Sequence, residues 1–170
     1  MGNYNFRQDL SIGRESEEMI LNLIKERTLD ICGTCVNRTD KCDIHILFNC
    51  GKRTLIEVKT DMQAHETGNV ALEIWCRGHD SGILTTESDY IVYVFEDNGV
   101  KKKYIYRSKT LREYCLKNRH RAIQAGDLWI NPEFPWRRKS SDIILVKKTD
   151  FIKMGRDMDM VKTFKFAIRK

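Results

Sequence analysis

Apolar and polar positions follow two periods along this chain, and the change from one to the other separates its elements. Between Ser11 and Arg27 the residues Ile20, Leu21, Leu23 and Ile24 recur at helical spacing, which predicts an amphipathic helix. Ser11 is its expected N-cap, acidic residues crowd its early turns, and Lys25 and Arg27 close it as the helix dipole favours. Glu17 stands three residues before Ile20 and seven before Ile24, so it falls on the apolar face. A carboxylate there is costly unless a cation meets it. The plainer alternative is a side chain that reaches solvent at the helix edge.

After this helix a period of two takes over. Leu29 to Arg38 reads as a strand, poorly defined around Gly33. Ile44 to Phe48 and Thr54 to Val58 are short apolar strands joined by the turn Asn49-Cys50-Gly51-Lys52, a β-hairpin pattern. Within it Ile56 and Val58 share one face and Glu57 and Lys59 the other, while Asp43 opens the neighbouring strand near Glu57. Two carboxylates and an ammonium then converge at one sheet end, and the carboxylates repel each other unless a cation lies between them. A surface salt bridge explains Glu57 and Lys59 equally well in isolation. His45 shares the face of Asp43, though a lone His is more commonly a hydrogen-bonded structural residue.

The second half of the chain continues in strands. Thr60 to Gly68 is polar and contains Gln63, and Asn69 to Trp75 returns to strand character with Ala71, Glu73 and Trp75 on one face. Glu73 either approaches the carboxylates or pairs with a surface Lys. A donor-rich loop follows, with Arg77, Ser81, Thr85 and Thr86, ending at a short helix that Thr85 is expected to cap. These groups and the glycine amides suit a phosphate, or simply caps and turns. Tyr90 to Glu96 and Lys101 to Arg107 form a second hairpin across Asp97-Asn98-Gly99. Ser108 caps a predicted helix through Asn118, Asp142 to Lys148 is the last predicted strand, and the tail to Lys170 is basic and unassigned.

Charge sharpens this picture more than composition does. A chain of 170 residues with 41% hydrophobic content fits a single folded domain, 1–170. Residues 1–100 carry 10 Lys/Arg against 17 Asp/Glu, and residues 101–170 carry 20 against 7. A basic C-terminal subregion beside an acidic N-terminal part points to a polyanion-binding surface next to a cation-binding site. In that subregion Trp129, Phe134 and Trp136 interleave with Arg137, Arg138 and Lys139, which suits stacking on unpaired bases as well as ordinary core packing. No apolar run is long enough to cross a bilayer, and Met1-Gly2-Asn3-Tyr4 opens no signal peptide, so a cytoplasmic protein is expected. The six cysteines are then reduced. Cys32 and Cys35 have zinc-knuckle spacing that Cys42 or Cys50 would have to complete, against the plainer reading of packed thiols.

The set Asp43, Glu57, Lys59 resembles the signature of the PD-(D/E)XK nuclease superfamily, with a plain Asp in place of the family's Pro-Asp. Gly13-x-x-x-Glu17-Glu18-x-Ile20 resembles the first helix of superfamily members such as archaeal-type Holliday junction resolvases, whose Glu reaches the metal. From Asp43 to Tyr90 the layout Thr67-Gly-Asn…Glu73…Arg77-Gly…Ser81-Gly-Ile…Thr85-Thr86 resembles phage-type members. The resemblance implies an α+β fold with an αβββαβ core, a mixed sheet flanked by helices. It implies that Asp43, Glu57, the backbone carbonyl of Val58, and Glu17 bind Mg2+ or Mn2+, with Lys59 completing the catalytic set. It further implies phosphodiester hydrolysis on DNA, with branched, recombination or repair intermediates and homing- or restriction-type cutting all left open, and RNA open as a substrate. A homodimer or higher homo-oligomer is expected, because cutting two strands needs two such sites. Gln63 stands where some members position substrate with a Gln. Two other readings stay open: a nucleic-acid-binding module of this fold without cleavage, and a zinc-stabilised interaction protein built on Cys32 and Cys35.

Overall fold

The predicted hairpin forms, and the larger sheet is assembled on it. The structure, a computed structural model, describes residues 6–39, 42–76, 78–131 and 134–166, with backbone alone at 6–9, 37–39, 125–131 and 134–140. Strands β2 (Cys42–Phe48) and β3 (Arg53–Asp61) pair antiparallel, Ile44 opposite Ile56 and Leu47 opposite Arg53. Gly51 takes φ +76 in the turn between them, a left-handed conformation that glycine adopts without a Cβ penalty. The preceding strand β1 (Ile31–Thr39) pairs with β2, also antiparallel. Helix α1 (Phe6–Arg27) packs across this meander. It starts before Ser11, so Ser11 lies inside the helix and is not its cap.

The chain then leaves the sheet and returns to it. A single helical turn, α2 (Ala64–Thr67), and strand β4 (Asn69–Cys76) lead through the two-residue strand β5 (His79–Asp80) and a 3-10 turn at Gly82–Leu84. The expected helix at Thr85 is absent. Thr85 instead closes that 3-10 turn, its N–H bonded to Gly82 O, and only the four non-helical residues 86–89 separate it from β6. Strand β6 (Tyr90–Asp97) pairs parallel to β3, Glu57 beside Ile91 and Lys59 beside Tyr93. Strand β7 (Val100–Arg107) returns antiparallel through Asn98 and Gly99, both at positive φ as the turn requires. Helix α3 (Ser108–Lys117) follows, with Arg107 rather than Ser108 at its N-cap.

The last third departs most from the sequence reading. Strands β8 (Ile123–Asn131) and β9 (Phe134–Lys147) form a hairpin, and β9 also pairs with β4. The result is a mixed sheet, β1-β2-β3-β6-β7-β10, and a smaller antiparallel sheet, β5-β4-β9-β8. Helix α4 (Lys148–Met154) and strand β10 (Arg156–Asp157), neither expected, complete the chain, β10 forming the edge beside β7.

Two apolar clusters fix the layers. On one face of the mixed sheet Ile44, Ile46, Ile56 and Val92 pack against Ile20 and Ile24 of α1. On the other face Ile91, Tyr93 and Phe95 pack against Leu72 and Ile74 of β4, Leu111 of α3 and Phe151 of α4. The fold is therefore α+β, with a central mixed sheet flanked by helices and by the smaller sheet. Asp61 ties the sheets at their junction: its carboxylate accepts the Ala71 N–H at 2.9 Å and the Gln63 N–H at 3.0 Å. At the far end Arg27 donates to the carbonyls of Met158, Asp159 and Val161, fastening the C-terminal segment to α1.

Candidate active site

Alternation along β3 decides which groups meet. Ile56 and Val58 turn towards α1, so Glu57 and Lys59 turn to the opposite face, where the smaller sheet packs. The β2–β3 ladder closes at Ile44 and Ile56, and one step further Asp43 lies across from Glu57. There the Asp43 side chain replaces the ladder, its Oδ2 accepting the Val58 N–H at 2.7 Å. In a strand the N–H and C=O of one residue leave on the same edge, so the Val58 carbonyl also faces the Asp43 side. Lys59 Nζ lies 2.6 Å from Glu57 Oε1.

The electrostatics follow from this crowding. Burial first, then the Glu57 carboxylate, and more weakly Glu17, push Asp43 up to about 6; the Val58 N–H and the Lys59 ammonium pull the other way. Burial opposes the charge on Lys59, but Glu57, by charge and hydrogen bond, with Asp43 and Glu73, outweighs it and raises the pKa above the ordinary lysine value. Lys59 is therefore held as an ammonium at neutral pH. Glu73 sits on β4, where Ser81 Oγ donates to Oε1 at 2.8 Å and Ser141 Oγ to Oε2 at 3.1 Å. Glu73 thus belongs to the carboxylate surroundings of Lys59, an outcome strand periodicity left undecided. Its partner Ser141 lies 68 residues away, a contact made only by the β4–β9 pairing and invisible to local pattern.

The other candidates fall as follows. Glu17 is half-buried on α1 and reaches Asp43 electrostatically. Ser81 is engaged with Glu73, and Thr85 turns its hydroxyl to Gly82 O at 3.5 Å, the local capping role. Gln63 is exposed at the start of α2. His45 pairs in register with Leu55 on β3 and with Cys35 on β1. Arg77 lies outside the described residues, as do the side chains of Arg137, Arg138 and Lys139, whose backbone runs in β9. Cys32 and Cys35 are exposed on β1, Cys42 is buried at one end of β2, and Cys50 lies in the turn past its other end. That spread separates Cys42 from Cys50 by roughly 20 Å or more at strand rise, so one zinc ion cannot take both.

Among the described residues no three His, Cys, Asp or Glu side chains are gathered into a metal-holding group. What the site does offer is oxygen alone: Asp43, Glu57 and the Val58 carbonyl on one strand edge. Such a donor set fits Mg2+ or Mn2+, which bind through one or two carboxylates and keep several waters. Neither family models nor curated proteins give a match to the chain.

Asp43 carries a pH signature. Its folded pKa of about 6 lies above the ordinary 3.8, so the folded state binds more protons between those values. Its contribution to stability is present below about pH 4 and lost as pH rises through about 6. Without divalent cations, unfolding free energy should fall across that window in the wild type. Asp43→Asn keeps an acceptor for Val58 without the charge and should remove that part of the slope. Superimposable urea-midpoint profiles for the two proteins would refute the assignment.

Proposed function

We propose that the chain is a metal-dependent endonuclease that hydrolyses DNA phosphodiester bonds through a PD-(D/E)XK-type site. The observation that carries this reading is the convergence of Asp43, Glu57 and Lys59 where β2 and β3 part, with the Val58 carbonyl on the same edge. A helix, three antiparallel strands and a fourth strand parallel to the third follow the αβββαβ order up to one departure. The crossover from β3 to β6 runs through α2 and β4, where that order places a full helix.

Asp43, Glu57 and the Val58 carbonyl are the groups that would hold Mg2+ or Mn2+, with Glu17 adding negative charge nearby. Such a cation lowers the pKa of a bound water and offsets charge developing on the phosphate oxygens. Lys59 stays protonated, so its part is to donate to the phosphate or to orient water, not to act as base. Glu57 holds the ammonium in place, and Glu73, held by two serines, adds to the field that keeps it charged. The excess of Lys and Arg in residues 101–170 supplies sequence-independent attraction for the nucleic acid.

The deciding experiment is single-turnover cleavage of linear duplex, single strand, four-way junction and RNA, each with Mg2+, Mn2+, Ca2+ or chelator. Cutting of a DNA substrate in Mg2+ or Mn2+ alone is expected. Failure on every substrate with either cation would overturn the proposal, and retained binding would then identify a non-cleaving nucleic-acid module.

A further inference from the structure

A cavity of about 330 Å3 opens at the β7–β10 edge, and no carboxylate-site residue lines it. Its size is at the lower end for small-ligand pockets. One side is aromatic. Tyr90 and Phe166 meet edge to face with ring centroids 5.4 Å apart, and Phe166 stacks on Phe164 at 5.6 Å and 22°. Phe166 is half-buried, whereas Phe164 is buried. Gly155 also lines the cavity, and a Cβ there would meet the Tyr106 ring at 2.4 Å, so the lack of a side chain lets that ring pack directly on the backbone.

The lining is also cationic. Arg107, Arg156 and Lys165 line the cavity, all exposed, and no Asp or Glu joins them. None of the three has an ion pair or side-chain hydrogen bond among the described residues. Nearby lysines behave differently: Lys103 pairs with Asp159 at 2.9 Å and Lys148 with Asp97 at 2.6 Å. Three unpaired like charges around one cavity repel each other, and an anion among them relieves that repulsion. The ligand must therefore combine a flat ring with a compact, multiply charged anion.

We propose that this pocket binds a nucleotide, its base against Phe166 and its phosphate among Arg107, Arg156 and Lys165. Stacking on an aromatic ring and charge-assisted bonds to phosphate are the two interactions this lining provides. A free nucleoside monophosphate and an unpaired nucleotide at the end of a strand present the same chemistry. The site stands apart from the carboxylates: Tyr90 packs with Ile56 on the α1 face of the mixed sheet, whereas Glu57 and Lys59 turn to the opposite face, and Arg107 lies on β7, two strands out from β3. Its occupancy requires no cleavage.

The test is a titration of the full chain, without divalent metal, with deoxyadenosine 5′-monophosphate, deoxyadenosine, inorganic phosphate and a 5′-phosphorylated single-stranded octamer. Calorimetry gives affinity, and backbone amide shifts at Gly155 and Lys165 give location. The monophosphate should bind more tightly than either fragment. The double substitution R107E/R156E, at two exposed positions without partners, should weaken it at least 10-fold with an unchanged circular dichroism spectrum. Phe166→Ala should weaken the monophosphate while leaving inorganic phosphate unaffected. An octamer that binds more tightly than the monophosphate and is equally sensitive to R107E/R156E assigns the site to a strand; equal affinity assigns it to a free nucleotide. A monophosphate no tighter than inorganic phosphate, or indifferent to R107E/R156E, overturns the proposal. Because no arm reads cleavage, this result is independent of whether Asp43 and Glu57 cut DNA.

Discussion

Asp43→Asn and Glu57→Gln should each abolish measurable cleavage while DNA binding in Ca2+ is preserved or slightly strengthened. Each change removes the negative charge of a group proposed to hold the cation. It also removes a carboxylate that repels phosphate when no cation is bound. Losing the several kcal/mol that a bound cation gives the transition state corresponds to roughly 10²–10⁴-fold in rate. Lys59→Ala should fall in the same range, since the ammonium is fixed on Glu57 at 2.6 Å and held charged. None of these side chains belongs to either apolar cluster, so each variant should stay folded, with Asp43→Asn raising the urea midpoint above about pH 6, where the wild type bears the cost of the buried Asp43 charge. Glu17→Gln should be milder, because Glu17 is the smallest of the contributions to Asp43. Single-turnover rates in Mg2+ beside a binding titration in Ca2+ separate the two effects. Wild-type cleavage by both carboxylate variants would remove the nuclease reading and leave the nucleotide pocket to be judged by its own titration.

The part of the fold that could be read from the chain is the part made by neighbours in sequence. Alternation from Ile44 to Val58, with Gly51 between, sufficed to place β2, β3 and the faces of Ile56 and Glu57. Asn98-Gly99 did the same for β6 and β7. The smaller sheet left no such trace. β4 and β9 pair residues about seventy apart, Ala71 with Leu145 and Glu73 with Ile143, and no local period records a partner at that distance. β8 and the start of β9 were further masked by Pro132 and Pro135, which argue against a central strand; here Pro135 is the second residue of β9, where a missing N–H is tolerated. Capping residues misled for a related reason. Ser11, Thr85 and Ser108 are all good N-caps by type, yet each lies inside or after its element; at Ser108 the boundary is set by β7, which runs to Arg107.

The same division runs through the site. Asp43, Glu57 and Lys59 were legible because a hairpin brings them together, whereas the role of Glu73 depends on Ser141 across the two sheets. The cationic pocket was not legible at all. Arg107, Arg156 and Lys165 come from β7, β10 and the C-terminal segment, and they converge only after Arg27 binds three carbonyls of that segment and β10 pairs with β7.

Phe151→Ala should produce the largest loss of stability of any single change discussed here. Phe151 is fully buried on α4, stacks on Tyr106 with ring centroids 4.5 Å apart, and meets Tyr93 edge to face at 4.9 Å. Its carbonyl accepts the Tyr106 hydroxyl at 3.2 Å, so the backbone there is held from both sides. Tyr93 and Tyr106 belong to the mixed sheet and α4 follows directly on β9, so this ring is one of the main contacts between the two sheets. Truncation leaves a cavity among rigid rings with little freedom to collapse, a loss of about 3–5 kcal/mol. For a chain of this size that is roughly 6–20 °C in melting temperature. Phe151→Leu, which refills most of the space, should lose clearly less. Both variants should keep the wild-type cleavage rate per folded molecule well below their melting temperatures, because Phe151 belongs to the apolar cluster and takes no part in the Asp43–Val58 hydrogen bond or the Glu57–Lys59 ion pair. Urea denaturation with unchanged slope settles the magnitude. A loss under about 1 kcal/mol, below the range for an emptied aromatic site, would show that α4 is peripheral and that the sheets are joined elsewhere.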